Sequence, residues 1–209
     1  LIQEYISGIA ASASLISSTN GAITLILNAQ LLGMSKMGQR EPFGYCGNVV
    51  PLQVSKAVAD RCKSIVEKVA LHFNLVGSNG IDFVISKEGE PYVIEVNPRF
   101  QGTLECVERI LNMNIVKAHV EACVQGKLPK IEKSPSAFCV RLILFASQRS
   151  VVPDLSVFEE VRDIPLPGVI IEGGEPVCSV VVKEATRDSS IREAMKIAKL
   201  IYKSLELCN

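Results

Sequence analysis

Gly80 to Gly102 reads GIDFVISKEGEPYVIEVNPRFQG. Two short runs rich in β-branched and aromatic residues flank Lys87-Glu88-Gly89-Glu90, which is the pattern of a β-hairpin. Ile81 to Ser86 forms its first strand and Pro91 to Asn97 its second. A two-residue loop at Glu88-Gly89 and a four-residue loop from Lys87 to Glu90 give the same register, with Asp82 directly opposite Glu95. Side chains alternate along a strand, so Ile81, Phe83 and Ile85 share a face with Ile94 and Val96, while Asp82, Glu95 and Asn97 share the other. Directly paired Cβ atoms lie about 5 Å apart, where like charges repel unless something positive lies between them. Two carboxylates and an amide oxygen suit Mg2+ or Mn2+, which prefer oxygen ligands and complete their shell with water and phosphate. The alternative is a polar hairpin whose acids face solvent, with Asn97-Pro98 as a turn initiator.

Outward from the hairpin, Ala22 to Leu32 is an apolar run suited to a central strand. Gly33 to Pro51, with four glycines and two prolines, reads as a loop. Val58, Cys62, Ile65, Val69 and Phe73 recur at helical spacing, so Ser55 to Phe73 is expected to form a helix under the hairpin. On the other side, Leu104 to Val124 reads as helix, interrupted near Asn112 to Asn114 and closed by Gly126 and Pro129. Lys130 to Pro135 is a polar linker, which divides the chain into residues 1–129 and 136–209. The second part is strand-rich, with strands expected at Ala137 to Phe145, Val169 to Ile171 and Val177 to Val182. A final helix is expected from the capping-box pattern Ser190-Ile191-Arg192-Glu193, with a stripe of Ile191, Met195, Ala198, Tyr202 and Leu205. The fold class is α+β: a mostly antiparallel sheet flanked by helices, then a small strand-rich domain.

Lys plus Arg and Asp plus Glu are 22 each among 209 residues. The chain therefore has no basic field to attract nucleic acid or a membrane surface. Apolar runs are too short to span a bilayer, and Leu1 to Ile26 lacks a charged front, so neither a membrane span nor a signal peptide is read. Cys46, Cys62, Cys106, Cys123, Cys139, Cys178 and Cys208 form no C-x-x-C pair, which fits buried reduced thiols in a cytoplasmic protein. His72 and His119 stand alone on expected helices and are given no ligand role.

EVNPRFQG following GIDFV resembles the metal-binding strand pair of the ATP-grasp superfamily, which includes biotin carboxylase, carbamoyl-phosphate synthetase, D-alanine ligase and amino-acid ligases. The resemblance implies that Asp82, Glu95 and Asn97 hold the magnesium bridging the ATP phosphates, and that Arg99 contacts phosphate or the reacting acyl group. Gln3-Glu4-Tyr5-Ile6-Ser7-Gly8 resembles the hinge strand of that superfamily. There, backbone groups near the positions of Tyr5 and Ile6 read the adenine edge, and the position of Glu4 lies beside the base. Many relatives carry a ribose-binding acid seven residues further on, where this chain has Ala11. Lys36 and Arg40 in the glycine-rich loop become possible phosphate contacts, and Gln101, Thr103 and Glu105 candidates for meeting a second substrate. The tail, with Asp163-Ile164-Pro165 and Ala185-Thr186-Arg187, resembles the C-terminal domain of the biotin-carboxylase-like and amino-acid-ligase-like members. At pattern level the whole chain is similar to predicted ATP-dependent carboligases of archaea and some bacteria.

ATP-grasp enzymes place a glycine-rich phosphate loop and two lysines before the hinge, and only two residues precede Gln3 here. The chain is thus expected to be the C-terminal piece of a longer polypeptide, unable to turn over ATP alone and needing the upstream part to complete the site. The resemblance implies an ATP-dependent ligase joining a small-molecule carboxylate and an amine through an acyl phosphate, with ATP and Mg2+ (or Mn2+). Two alternatives stay open: a bicarbonate-phosphorylating carboxylase or carbamoyl-phosphate-type enzyme, and a non-catalytic nucleotide-binding or assembly module.

Overall fold

The computed structural model describes residues 2–131 and 134–207. Its strands and helices are, in chain order, β1 (Gly8–Ser18), β2 (Gly21–Leu32), β3 (Tyr45–Val50), α1 (Lys56–His72), β4 (Gly77–Ser86), β5 (Pro91–Asn97), α2 (Leu104–Leu111), α3 (Ile115–Gln125), β6 (Phe138–Phe145), β7 (Ser150–Val151), β8 (Val161–Arg162), β9 (Ile170–Ile171), β10 (Pro176–Glu184), α4 (Arg187–Ser204) and β11 (Glu206–Leu207). They form two compact units: residues 1–30 with 50–136, and residues 31–49 with 137–209. The segment 31–49, grouped with residues 1–129 in the expected division, thus clusters with the second unit.

In the first unit the strands run in the order β5-β4-β1-β2, every neighbouring pair antiparallel. Ala11, Ala13 and Leu15 of β1, Leu27 of β2 and Ile81, Phe83 and Ile85 of β4 bury one face of this sheet against Cys62, Val66 and Ala70 of α1. Ser55 caps α1 by accepting from the Val58 N–H, satisfying one of the helix's unpaired amides. Phe73, expected in the apolar stripe, follows the last turn and is exposed. The interruption read at Asn112 to Asn114 is real: Asn112 (φ 50°) ends α2 in the left-handed region, and the Asn114 side chain accepts from the Lys117 N–H to start α3. Of the linker Lys130 to Pro135, Glu132 and Lys133 lie outside the described residues, as do Leu1 and Cys208.

The second unit runs β3-β6-β10-β8, with a small sheet β11-β7-β9. Ala194, Ile197, Ala198 and Ile201 form the buried centre of α4, which packs on β6 and β10. Expected stripe residues Ile191, Met195 and Tyr202 flank that centre and are only partly buried. The helix starts earlier than expected. Thr186, not Ser190, is the N-cap, and it exchanges hydrogen bonds reciprocally with Ser189. Ser190 is instead fully buried inside the first turn, where its hydroxyl donates to the Arg187 carbonyl. β3 is a second correction, because Gly33 to Pro51 contains a strand as well as loop. Gly47 belongs to that strand, and its missing Cβ leaves room for the Arg141 carbonyl of β6.

Candidate metal and nucleotide site

The hairpin closes on a three-residue loop, Lys87 to Gly89, and not on either of the expected lengths: the Ser86 N–H donates to the Glu90 carbonyl, and the Gly89 N–H to that of Ser86, with Gly89 at φ 82°. Asp82 pairs with Glu95, Ile81 with Val96 and Gly80 with Asn97, in the expected register. Beyond Asp82 the pairing shifts by one, to Phe83 with Val93 and Ile85 with Pro91. Ile94 is the extra residue of this bulge. It is 56% exposed, so it does not join the core face as expected, whereas Val96 packs against the buried cluster.

Registers across the whole unit carry the polar face further than the hairpin. Asn28 pairs with Ser12, Ser12 with Asp82 and Asp82 with Glu95, so β2, β1, β4 and β5 contribute one residue each to a transverse polar row. Directly paired residues project to one face. It is the face opposite α1, since Ala11 and Ala13 on either side of Ser12 are in the core cluster. One pair along lie Ser14, Gly80 and Asn97. A Cβ at Gly80 would fall 2.1–2.5 Å from the Gln101 amide, so the glycine leaves that side chain its place over the sheet.

Asp82 is half-buried and Glu95 exposed. Burial pushes the Asp82 carboxyl above the ordinary carboxylate range and the Glu95 charge adds to this. A hydrogen bond from Gln30 and the Arg99 guanidinium pull the other way. Asn97 is 7% exposed, and its Nδ2 lies 3.5 Å from Asp82 Oδ2. Arg99 donates to Asn97 Oδ1 at 3.3 Å and to the Phe100 carbonyl at 3.2 Å, while Gln101 Nε2 donates to the Asn97 carbonyl at 3.2 Å. The site therefore gathers two carboxylates and the Asn97 amide on one face, the amide nitrogen toward Asp82 and its oxygen accepting from Arg99, with an acid that gains from a nearby cation. That donor set fits a hard divalent ion.

Glu4, Tyr5 and Ile6 precede β1 in irregular backbone, not in a strand as the hinge resemblance suggested. The ladder to β4 ends where Gly8 meets Ser86. Glu4 and Tyr5 are exposed and Ile6 is half-buried. Ala11 is fully buried on the α1 side, so position 11 offers nothing to the polar face. Thr103, immediately before α2, bonds through Oγ1 to Ser14 Oγ at 3.3 Å, and Glu105 is ion-paired to Arg109 at 2.6 Å. Lys36 and Arg40 belong to the second unit, where Arg40 donates to the Ser147 carbonyl at 3.0 Å. His119 accepts from the Ser78 N–H at 2.9 Å, which gives it a local structural role. Among the described residues, no group of three or more His, Cys, Asp or Glu side chains is placed so that it could hold a metal ion. Nor is any helix of those residues long and apolar enough to cross a membrane.

Ser12, Ser14, Asn28 and Gln30 were not singled out from sequence. A signal existed, since Asn28 and Gln30 are two polar residues, two apart, in the otherwise apolar run LILNAQLL.

Residues 1–103 match the family model for the ATP-grasp domain. This chain carries an ATP-grasp domain. It is 31% identical over 186 residues to an uncharacterized protein of Methanocaldococcus jannaschii, covering 88% of this chain and 42% of that protein. It is 29% identical over 150 residues to the carbamoyl phosphate synthase large chain of Thermoplasma volcanium, covering 70% of this chain and 13% of that one. The ATP-grasp chain thus spans less than half the length of these relatives. Among solved structures, an L-amino acid ligase from Bacillus licheniformis superposes with a TM-score of 0.75 at 14% identity, covering 96% of this chain and 54% of the ligase. A biotin carboxylase from Campylobacter jejuni superposes at 0.72 and 15%, covering 97% and 47%. These likenesses show that the α+β fold is that of ATP-grasp proteins.

Proposed function

We propose that this chain supplies the metal-binding half of the ATP site in an ATP-dependent ligase that joins a carboxylate to an amine. The observation that carries the reading is the direct cross-strand pairing of Asp82 with Glu95, with Asn97 one pair along on the same face. Asp82, Glu95 and Asn97 would hold Mg2+ or Mn2+, and the ion, when bound, would neutralise charge on the ATP phosphates. Arg99 sits beside Asn97 with its guanidinium exposed. From there it stabilises the oxyanion charge that develops as a substrate carboxylate attacks the terminal phosphorus and ADP departs. An amine then attacks the acyl phosphate, loses a proton and expels phosphate, leaving an amide. Glu4 and the backbone of Tyr5 and Ile6 would border the adenine, and the upstream part of the polypeptide would supply the remaining phosphate contacts.

Similarity to the large chain of carbamoyl phosphate synthase favours a second reading, in which bicarbonate is the phosphorylated acid. Labelled bicarbonate offered against a panel of carboxylates separates the two. For the metal site itself, E95Q in the intact polypeptide should abolish magnesium-dependent ATP turnover and weaken Mn2+ binding at least about tenfold. Turnover at the wild-type level would overturn the assignment.

A further inference from the structure

Asn28 occupies the end of the polar row and is 0% exposed. Its Nδ2 donates to Ser12 Oγ at 3.3 Å and to Ser14 Oγ at 3.1 Å, while its Oδ1 meets no hydrogen-bond partner among the described residues. An apolar side chain of similar size would fill the space without leaving a buried oxygen unsatisfied. What the amide provides is a pair of donor hydrogens, both directed at serines of β1.

Ser14 passes this constraint on. Its hydroxyl is 3.3 Å from that of Thr103, which is 3% exposed, and the Thr103 carbonyl accepts from the Val107 N–H in the first turn of α2. The preceding loop is short and internally bonded: the Arg99 N–H donates to the Asn97 carbonyl and the Leu104 N–H to that of Gln101. A displacement at Thr103 therefore reaches Asn97, Arg99 and Gln101 with little slack between.

We infer that Asn28 is a positioning residue for the proposed metal site, acting through Ser14 and Thr103 to set where the 97–103 loop holds Asn97, Arg99 and Gln101. The inference rests on the metal reading for its consequence but not for its geometry. Residues that orient ligands in this way are typically worth about tenfold or more in metal affinity.

The test uses the intact polypeptide with N28A, T103V, T103S and the double variant N28A/T103V. Two readouts are needed: Mn2+ affinity by electron paramagnetic resonance, and amide exchange at Arg99 and Leu104. N28A and T103V should each weaken Mn2+ binding about tenfold and speed exchange at both amides. T103S, which restores the hydroxyl, should recover much of what T103V loses. The double variant should be no worse than the weaker single, because both act through one chain of contacts. Unchanged exchange and affinity in both single variants would overturn the inference, as would losses that simply add. If N28A fails to fold, the T103V and T103S comparison decides. A wild-type protein that binds no Mn2+ would sink the metal reading, while exchange at Arg99 and Leu104 would still judge the positioning.

Discussion

Asp82→Asn should stabilise the metal-free protein at neutral pH. Asp82 faces Glu95 across a ladder in which paired Cβ atoms are about 5 Å apart. At that distance, an effective dielectric of about 20 to 80 gives a repulsion of about 1–3 kcal/mol. Burial is the main cost of the Asp82 charge and Glu95 adds to it, while the Gln30 hydrogen bond and Arg99 offset part of it and Glu95 is exposed, so the lower end, about 1 kcal/mol, is expected. For a chain of this size that is about 2–4 °C in Tm. The pH dependence follows from the direction of the shift. Folding raises the Asp82 pKa, so the native state holds this proton more tightly than the unfolded chain. The stability contributed is complete below the unfolded value of about 4 and is lost as pH rises through the folded value. Asparagine never ionises and suffers no such loss. The advantage of D82N should therefore be present near pH 7 and shrink as pH falls toward 4. Calorimetry in EDTA across that range measures it. Saturating Mg2+ should reverse the order, because only the wild type then gains from binding. If D82N is no more stable than wild type in EDTA at neutral pH, or if its advantage is flat with pH, the electrostatic account of the row is wrong.

Gly47→Ala should cost about 2–4 kcal/mol in urea unfolding, since the new Cβ would lie 1.9 Å from the Arg141 carbonyl oxygen at φ 126°. Gly168→Ala is also at positive φ (84°) but has nothing within 4 Å, so it should cost only about 1 kcal/mol; equal losses would show that the clash is not what matters. Brief alkylation followed by peptide mapping should label Cys123 ahead of Cys46, Cys62, Cys106, Cys139 and Cys178. Cys123 is the exposed thiol among the described cysteines, and burial with the nearby Asp163 charge pushes Cys178 up to about 12. Labelling of Cys178 at a comparable rate would contradict its placement.

The two acids were legible because their relation is local. A short loop leaves few registers open, and although the pairs next to this loop run one residue off the expected register, the bulge at Ile94 restores it at Asp82. The bulge was not, because Val93 and Ile94 are both apolar and alternation alone cannot say which is the extra residue. β3 was hidden for a related reason: Gly47 reads as a loop signal, yet it is a strand residue that yields its Cβ to a neighbouring carbonyl. The start of α4 was misread because a capping box is sought with Glu or Gln at its third position, and here Ser189 serves. The deepest gap is the floor of the site. In AASASL, alternation puts Ser12 and Ser14 on one face, but only the order β5-β4-β1-β2 places that face between Asn28 and Asp82. That order pairs residues far apart in the chain, Ser12 with Asp82 across 70 positions, and no local pattern encodes it. The consequence is physical as well as interpretive. If Asp82, Glu95 and Asn97 hold a cation as proposed, their spacing depends on what lies behind them, and the support proposed for the 97–103 loop, the Asn28 amide on β2, acts through Ser14 and Thr103 and not through the hairpin, which makes N28A a sharper probe of that proposal than any change in the hairpin loop.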